Sequence, residues 1–280
     1  MNAAAALLAL ASAVTWGTAD FSGGFVSRRV PTIPVTVISQ AAGFAALLVT
    51  VAVAGGGIDH RSFAIGILSG LGGGAGLAAF YKALSLGTMS IVSPITACGA
   101  VVPFAISIAT GERPSGVAIA GAGLALGGAV LASSEERKAE APNRARAVLL
   151  ATVAAIALGL FTYFLGLGSR EGGALSTLTG ARVGSLTLLL LLAAGKRESL
   201  RVPRRWLLPI AAIGLCDLAA NVMFALASRH GLLSLVSVIG SLYPVMTVAL
   251  AYVILHERLT RIQLAGVAAA LAGVAAMSTG

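Results

Sequence analysis

The sequence predicts an all-α integral membrane protein of ten transmembrane helices, built as two inverted five-helix repeats. Three observations carry that prediction. The 280 residues are 58% hydrophobic and only 10% charged, against about 25% charged in a soluble domain. Mean hydropathy is +0.95, and there are too few polar side chains to cover the surface that one soluble core would leave facing water. The apolar residues fall into ten stretches of spanning length, and motifs of the first five recur in the second five. This composition excludes a soluble globular protein, a disordered chain and an ordinary nucleic-acid binder.

A bilayer core takes about 20 apolar residues per helix. Such stretches cover residues 3–26, 33–54, 62–86, 88–110, 115–133, 147–168, 172–194, 207–229, 232–255 and 260–278. Arg28-Arg29-Val30-Pro31 ends the first and Gly55-Gly56-Gly57 the second. Gly111-Glu112-Arg113-Pro114 parts the fourth from the fifth. Residues 1–27 contain no Lys or Arg, so the first stretch lacks the basic start of a signal peptide. A polar stretch over 133–146 holds Glu135, Glu136, Arg137, Lys138, Glu140, Arg144 and Arg146 near the midpoint. It predicts a first repeat over 1–133, a linker over 134–146 and a second repeat over 147–280.

Ser90-Ile91-Val92-Ser93 is followed, nineteen residues after Ser93, by Glu112-Arg113. Ser234-Leu235-Val236-Ser237 is followed, twenty residues after Ser237, by Glu257-Arg258. Five spans per half is an odd number, so the two copies are upside down relative to each other. Inverted repeats are a signature of alternating-access transporters.

The chain carries a net charge of +9, and its basic residues are unevenly placed. Loops after odd-numbered spans hold thirteen Lys and Arg, and loops after even-numbered spans hold four. The first set defines a basic face. The positive-inside rule puts that face in the cytoplasm and both termini outside.

Asp20, Lys82, Arg182 and Asp217 fall inside spans. Each costs a few kcal/mol at the bilayer centre unless paired or hydrated. Arg182 and Asp217 are each the eleventh residue of adjacent spans, which predicts a midplane pair. Asp20 and Lys82 lie late in spans running the same way, which makes them a second candidate pair. Asp217 is a candidate for proton coupling, with a static ion pair as the alternative. Asn221, one turn on, shares its face. Pro94, Pro103 and Pro244 lie within spans, where proline breaks a helix. A break at the midplane points to a substrate path.

Gly66, Gly70, Gly72, Gly73, Gly74 and Gly76 in span three, and Gly123 and Gly127 in span five, predict close helix seams or a homodimer face. No Gly-Lys-Ser/Thr follows them, so ATP hydrolysis is not indicated. His60, His230 and His256 are far apart in sequence, and there is no His-Glu-x-x-His or Gly-x-Ser-x-Gly. The sequence therefore predicts neither an enzyme nor a metal or cofactor site. Cys98 and Cys216 lie in apolar runs and are expected as small core residues.

The motifs also follow a known order. The first half has Trp16-Gly17, then Phe80-Tyr81-Lys82-Ala83-Leu84-Ser85-Leu86-Gly87, then Ile91-Val92-Ser93-Pro94-Ile95. The second has Ser228-Arg229-His230-Gly231-Leu232-Leu233-Ser234-Leu235-Val236, then Ser241-Leu242-Tyr243-Pro244, then Glu257-Arg258-Leu259-Thr260. In this order and over essentially its whole length, the chain resembles the EamA family of the drug/metabolite transporter superfamily. Pro244 keeps the family spacing, thirteen residues before Glu257, but Gly99 stands thirteen before Glu112. This predicts that the first-half break is displaced toward Pro94 or Pro103.

The resemblance implies a central cavity lined by Trp16, Tyr81, Lys82, Tyr163, Asn221, Ser241 and Tyr243. It implies an exporter of small polar metabolites, amino acids or related compounds, driven by a proton gradient or exchange. The expected setting is a bacterial inner membrane, as a monomer or homodimer in lipid, with no nucleic-acid partner; the resemblance implies termini inside, where the charge count puts them outside. The alternatives are a drug or toxic-compound exporter and a lipid-linked flippase of the same superfamily. Glu112-Arg113 and Glu257-Arg258 match the family and are expected as capping and loop-anchoring pairs.

Overall fold

A computed structural model describes residues 2–27, 29–55, 57–86, 92, 95–132, 144–255 and 260–279. Among these residues there are helices and no strand. The first half contributes α1 (Ala3–Ser27), α2 (Thr32–Ala54), α3 (His60–Leu86), α4 (Val101–Ala109) and α5 (Gly116–Ala132). The second contributes α6 (Arg144–Glu171), α7 (Ala174–Gly195), α8 (Arg204–His230), α9 (Leu233–Gly240), α10 (Tyr243–Leu255) and α11 (Arg261–Thr279). Eight described spans are long and apolar enough to cross a membrane, α9 and α10 together forming one. Two shorter apolar helices, Ile95–Ala109 and Gly116–Ala132, stand where spans four and five are expected. α6 begins at Arg144, so residues 144–146 belong to the helix and not to the expected linker.

The halves interlock. α3 packs along α6 and α7, while α8 packs along α1 and α2. Exchanging the halves exchanges these pairs, and α5 packs on its own counterpart α11. The core lies where α1, α6, α8 and α9 meet, with Leu165, Phe224, Leu235, Val236 and Ile239 fully buried. Leu7, Val14, Val53, Leu191, Leu208 and Ile262 are exposed. In water such an apolar exterior would be unfavourable; in lipid it is the expected surface.

Small residues let backbones approach closely. Gly66 and Gly70 face Thr177 and Ala181 of α7, while Gly72 and Gly76 face Ala157 and Leu158 of α6. One glycine-rich helix thus serves two neighbours. The α5–α11 seam differs from expectation. It uses Gly121 and Gly128 against Gly266 and Gly273, while Gly123 and Gly127 face open space. The helical period decides this: residues 121 and 128 are seven apart, two turns on one face, whereas 123 and 127 start on another.

Spans four and nine are both interrupted. Span nine stops at Gly240, turns through Ser241 and Leu242, and restarts at Tyr243. Pro244 therefore sits in the first turn of α10, where its missing N–H costs little. Span four tightens into a 3₁₀ turn over Cys98–Ala100. Among the described residues, this turn holds Gly99, the position matched to Pro244. Pro103 is the third residue of α4 and follows this turn directly; it has no N–H for the Gly99 carbonyl four residues before it. Pro94 lies outside the described residues. Cys98, in this turn, is exposed, which corrects its expected core position; Cys216 is partly buried and donates to the Thr15 carbonyl at 3.4 Å.

Candidate functional site

Two polar assemblies cross between helices. The first is in the membrane interior. Arg182 on α7 is 4% exposed, and its Nη2 donates to Asp217 Oδ2 on α8 at 2.7 Å. Its Nη1 donates to Gln40 Oε1 on α2, which also accepts from Ser185 Oγ at 3.2 Å. One guanidinium therefore ties α2, α7 and α8 together, using the fixed donor fork of arginine. Asn221 is buried, and its amide donates back to the Asp217 carbonyl at 2.6 Å. The buried amide thus steadies the Asp217 turn of α8.

α2 and α8 reach this level by direct backbone approach. A Cβ on Gly43 would lie 2.7 Å from the Gly214 carbonyl oxygen. Gly214 precedes Asp217 by about one helical turn, so the close crossing sets the height of the carboxylate.

A cleft of about 280 Å³ lies at the basic-face ends of α2, α3 and α7. Thr32, Thr36, Leu77, Lys82, Leu189 and Lys196 line it, with Glu198 at its rim. Thr36 is one turn from Gln40 and Leu189 one turn from Ser185, so the cleft ends a single turn from the Arg182 assembly. Lys82 is exposed within it. Asp20, its expected partner, stands elsewhere, on α1, which packs against α8 and α10. There Asp20 is exposed.

Trp16 sits one turn before Asp20. Its ring packs on Phe224 at 5.4 Å and Phe161 at 6.4 Å between centroids. Gly17 lets α1 approach the interrupted span: a Cβ there would lie 2.5 Å from the Tyr243 carbonyl oxygen. Thr247 Oγ1 donates to the Gly17 carbonyl at 3.2 Å. Ser241 Oγ donates to Val238 O at 2.7 Å, inside the turn itself. Tyr163 packs edge-on to Phe164 at 5.4 Å. Tyr81 lies on α3, and its side chain is outside the described residues. Trp16 and Gly17 are thus brought to the interrupted span at Gly240 and Tyr243, and Tyr163 packs on the same core as Trp16; Lys82 lies in the cleft.

The second assembly joins the two halves on the opposite face. Glu112, after α4, accepts from Arg170 Nη1 at 2.6 Å and from the N–H of Leu233 at 2.8 Å. Its other oxygen accepts from the N–H of Ser234 at 2.9 Å. Arg170 Nε donates to Ser228 O at 2.5 Å, and its Nη2 to Gly231 O. Glu112 therefore caps α9 of the other half, and its partner is Arg170 and not the adjacent Arg113. Burial pushes the Glu112 carboxyl up, but the hydrogen bonds from Ser234, Leu233 and Arg170 outweigh it and hold its pKa below the ordinary glutamate value. Arg61 pairs with Glu171 at 2.9 Å, and the Asp59 N–H donates to Ser176 Oγ at 3.0 Å on the same face. Glu257, Arg258 and Arg28 lie outside the described residues.

Sequence reading had missed Gln40 and Arg170. Gln40 is uncharged, yet an amide inside an apolar run is itself a signal. Arg170 reads in the sequence as one of the four basic residues in loops after even-numbered spans, because its partner is 58 positions away. Among the described residues, no group of three or more His, Cys, Asp or Glu could hold a metal ion.

The comparisons with known proteins agree with this architecture. One solved structure, described only as the crystal structure of a protein, matches with a TM-score of 0.81 at 19% identity. The match covers 99% of this chain and 99% of that one, and it shows the fold. No curated protein matches the chain. The family model for EamA-like transporters matches twice, over residues 3–134 and 145–279. The two interlocked halves, the interrupted spans and this double match lead to one conclusion: the chain is a multi-pass membrane protein that belongs to the EamA-like transporter family.

Proposed function

We propose that the protein is a secondary active exporter of small polar metabolites, amino acids or related compounds, working by alternating access in a bacterial inner membrane. The observation that carries this reading is the contrast between the two faces. On the opposite face Glu112 and Arg170 bridge the halves. The basic face has a cleft that ends one turn from the Arg182–Asp217 pair. With the basic face in the cytoplasm, this is the loading state of an exporter. Rocking of the halves would exchange the closed and open ends.

Asp217 is the proposed coupling group. Its ion pair engages Oδ2, and 27% of its side chain is exposed. A proton reaching it would release Arg182 from α8, so protonation and helix contact are linked. The test is counterflow in proteoliposomes against a panel of amino acids, with and without an imposed pH gradient. Saturable counterflow of one class, accelerated by the gradient, is expected. Asp217→Asn should still exchange substrate and lose the pH response. Wild-type transport and pH response in that variant would refute the coupling role.

A further inference from the structure

Three helix faces converge on the basic-face cleft of about 280 Å³. Thr32, Ile33 and Thr36 line it from one side of α2. Ala78 and Lys82 stand one turn apart on α3, and Leu189, Leu192 and Lys196 lead along one side of α7 to its end. α2 and α3 both pack on α7, so these faces meet around one space.

The lining is graded with depth. α3 and α7 both run toward the basic face, and on each the lysine comes last. Leu189 lies about 10 Å deeper than Lys196, and Ala78 about 6 Å deeper than Lys82, at the rise of a helix. The cleft is therefore apolar inside, at Leu77, Ala78, Leu189 and Leu192, and cationic at its mouth.

The backbone fixes the mouth. After α7, the Arg197 N–H donates to Ala194 O at 3.0 Å, and the Glu198 N–H to Ala193 O at 2.9 Å. This pattern closes a helix through a left-handed residue, a place usually taken by glycine. Here Arg197 takes it, at a φ of 52°. A side-chain-bearing residue persists in that conformation only where its surroundings over-determine it. The turn keeps Lys196 and Glu198 both on the cleft.

Charge decides what fits. The lining holds two cations, Lys82 and Lys196, against one carboxylate, Glu198. An ammonium carries three N–H donors, so a contact within the protein leaves others for a ligand. A few placed polar groups over apolar walls are how a small-molecule site sets orientation. An anion with an apolar body matches this surface, its charge between the lysines and its body against the leucines. A bare amine meets two like charges there.

We propose that the cleft is a recognition site for a carboxylate with an apolar body, apolar amino acids included, held between Lys82 and Lys196. This rests on the transporter reading above and narrows its substrate. The carboxylate is necessary. The amine of an amino acid is dispensable, and where present it is matched by Glu198.

The protein in phosphatidylcholine nanodiscs is titrated calorimetrically with phenylpropionate, phenylalanine and phenylethylamine, which differ in charge at one ring. The first two should bind with dissociation constants within about tenfold of each other, and the amine about tenfold more weakly or worse. Lys82→Gln and Lys196→Gln should each weaken phenylpropionate about tenfold, as loss of a charge-assisted hydrogen bond does, with the melting temperature kept. Arg201→Gln, outside the lining, should leave the affinity unchanged. Equal binding of the amine, unchanged affinity in both lysine variants, or no saturable binding of any of the three would overturn the assignment. Phenylpropionate binding should persist when phosphatidylglycerol replaces part of the lipid. Its loss there would assign the lysines to a lipid headgroup and overturn the proposal. Counterflow of phenylalanine unchanged in both lysine variants would keep the transporter reading and overturn this one alone. Phenylpropionate binding that needs both lysines, with no counterflow of any amino acid, would keep this site and overturn the export reading.

Discussion

Glu112 and Arg170 join the two halves of the protein through one carboxylate, 2.6 Å from the guanidinium, which also caps α9. Arg170 in turn holds the last carbonyls around the end of α8. Three chain segments that are distant in sequence, the loop after α4, the end of α6 and the α8–α9 junction, therefore meet at one ion pair.

This contact should be worth more than a surface salt bridge. Removing a charged acceptor from two backbone N–H groups and an arginine costs about 1–3 kcal/mol. Glu112→Ala should lower the melting temperature in detergent by several degrees, and Glu112→Gln by less. An unchanged melting temperature in both would show that α9 does not depend on this cap.

The same contact has a defined pH dependence. Because the folded Glu112 pKa lies below its unfolded value, its stabilisation is complete above the ordinary glutamate range. It is lost only as pH falls through the lower folded value. The melting-temperature difference between wild type and Glu112→Gln should therefore be flat from about pH 6 to 8, and should shrink in acid. A difference that vanished near neutrality would contradict the geometry.

The Arg182–Asp217 pair should behave as a buried pair. Removing one partner leaves an uncompensated charge, at about 3–5 kcal/mol. Arg182→Met alone should destabilise strongly, and adding Asp217→Leu should recover part of the loss. Additive losses in thermal melts of the double-mutant cycle would show that the two groups do not interact energetically.

Packing on α5 separates two glycines that look alike in sequence. Gly121→Val meets Gly273 and Met277 of α11 at about 3 Å or less, and should cost about 1–3 kcal/mol. Gly123→Val meets nothing within 4 Å and should be tolerated. Equal melting temperatures for the two variants would place the seam elsewhere.

The sequence alone determined the all-helical membrane class, most of the apolar spans and the doubling of the chain. The physical reason is that each of these follows from local hydrophobicity: a bilayer demands about 20 apolar residues wherever a helix crosses it. It also indicated Arg182 with Asp217, since two unpaired charges at one depth cost too much apart. Tertiary structure alone decided the rest. Gly121 and not Gly123 forms the α5 seam because helix rotation, and not composition, chooses the buried face. Glu112 takes Arg170 and not Arg113 because the inverted halves bring the end of α6 to the start of α9. Asp20 is parted from Lys82 because α1 packs on α8 and α10 while α3 packs on α6 and α7. Depth in the membrane is written along one helix, but lateral neighbours are set only when all the helices have packed.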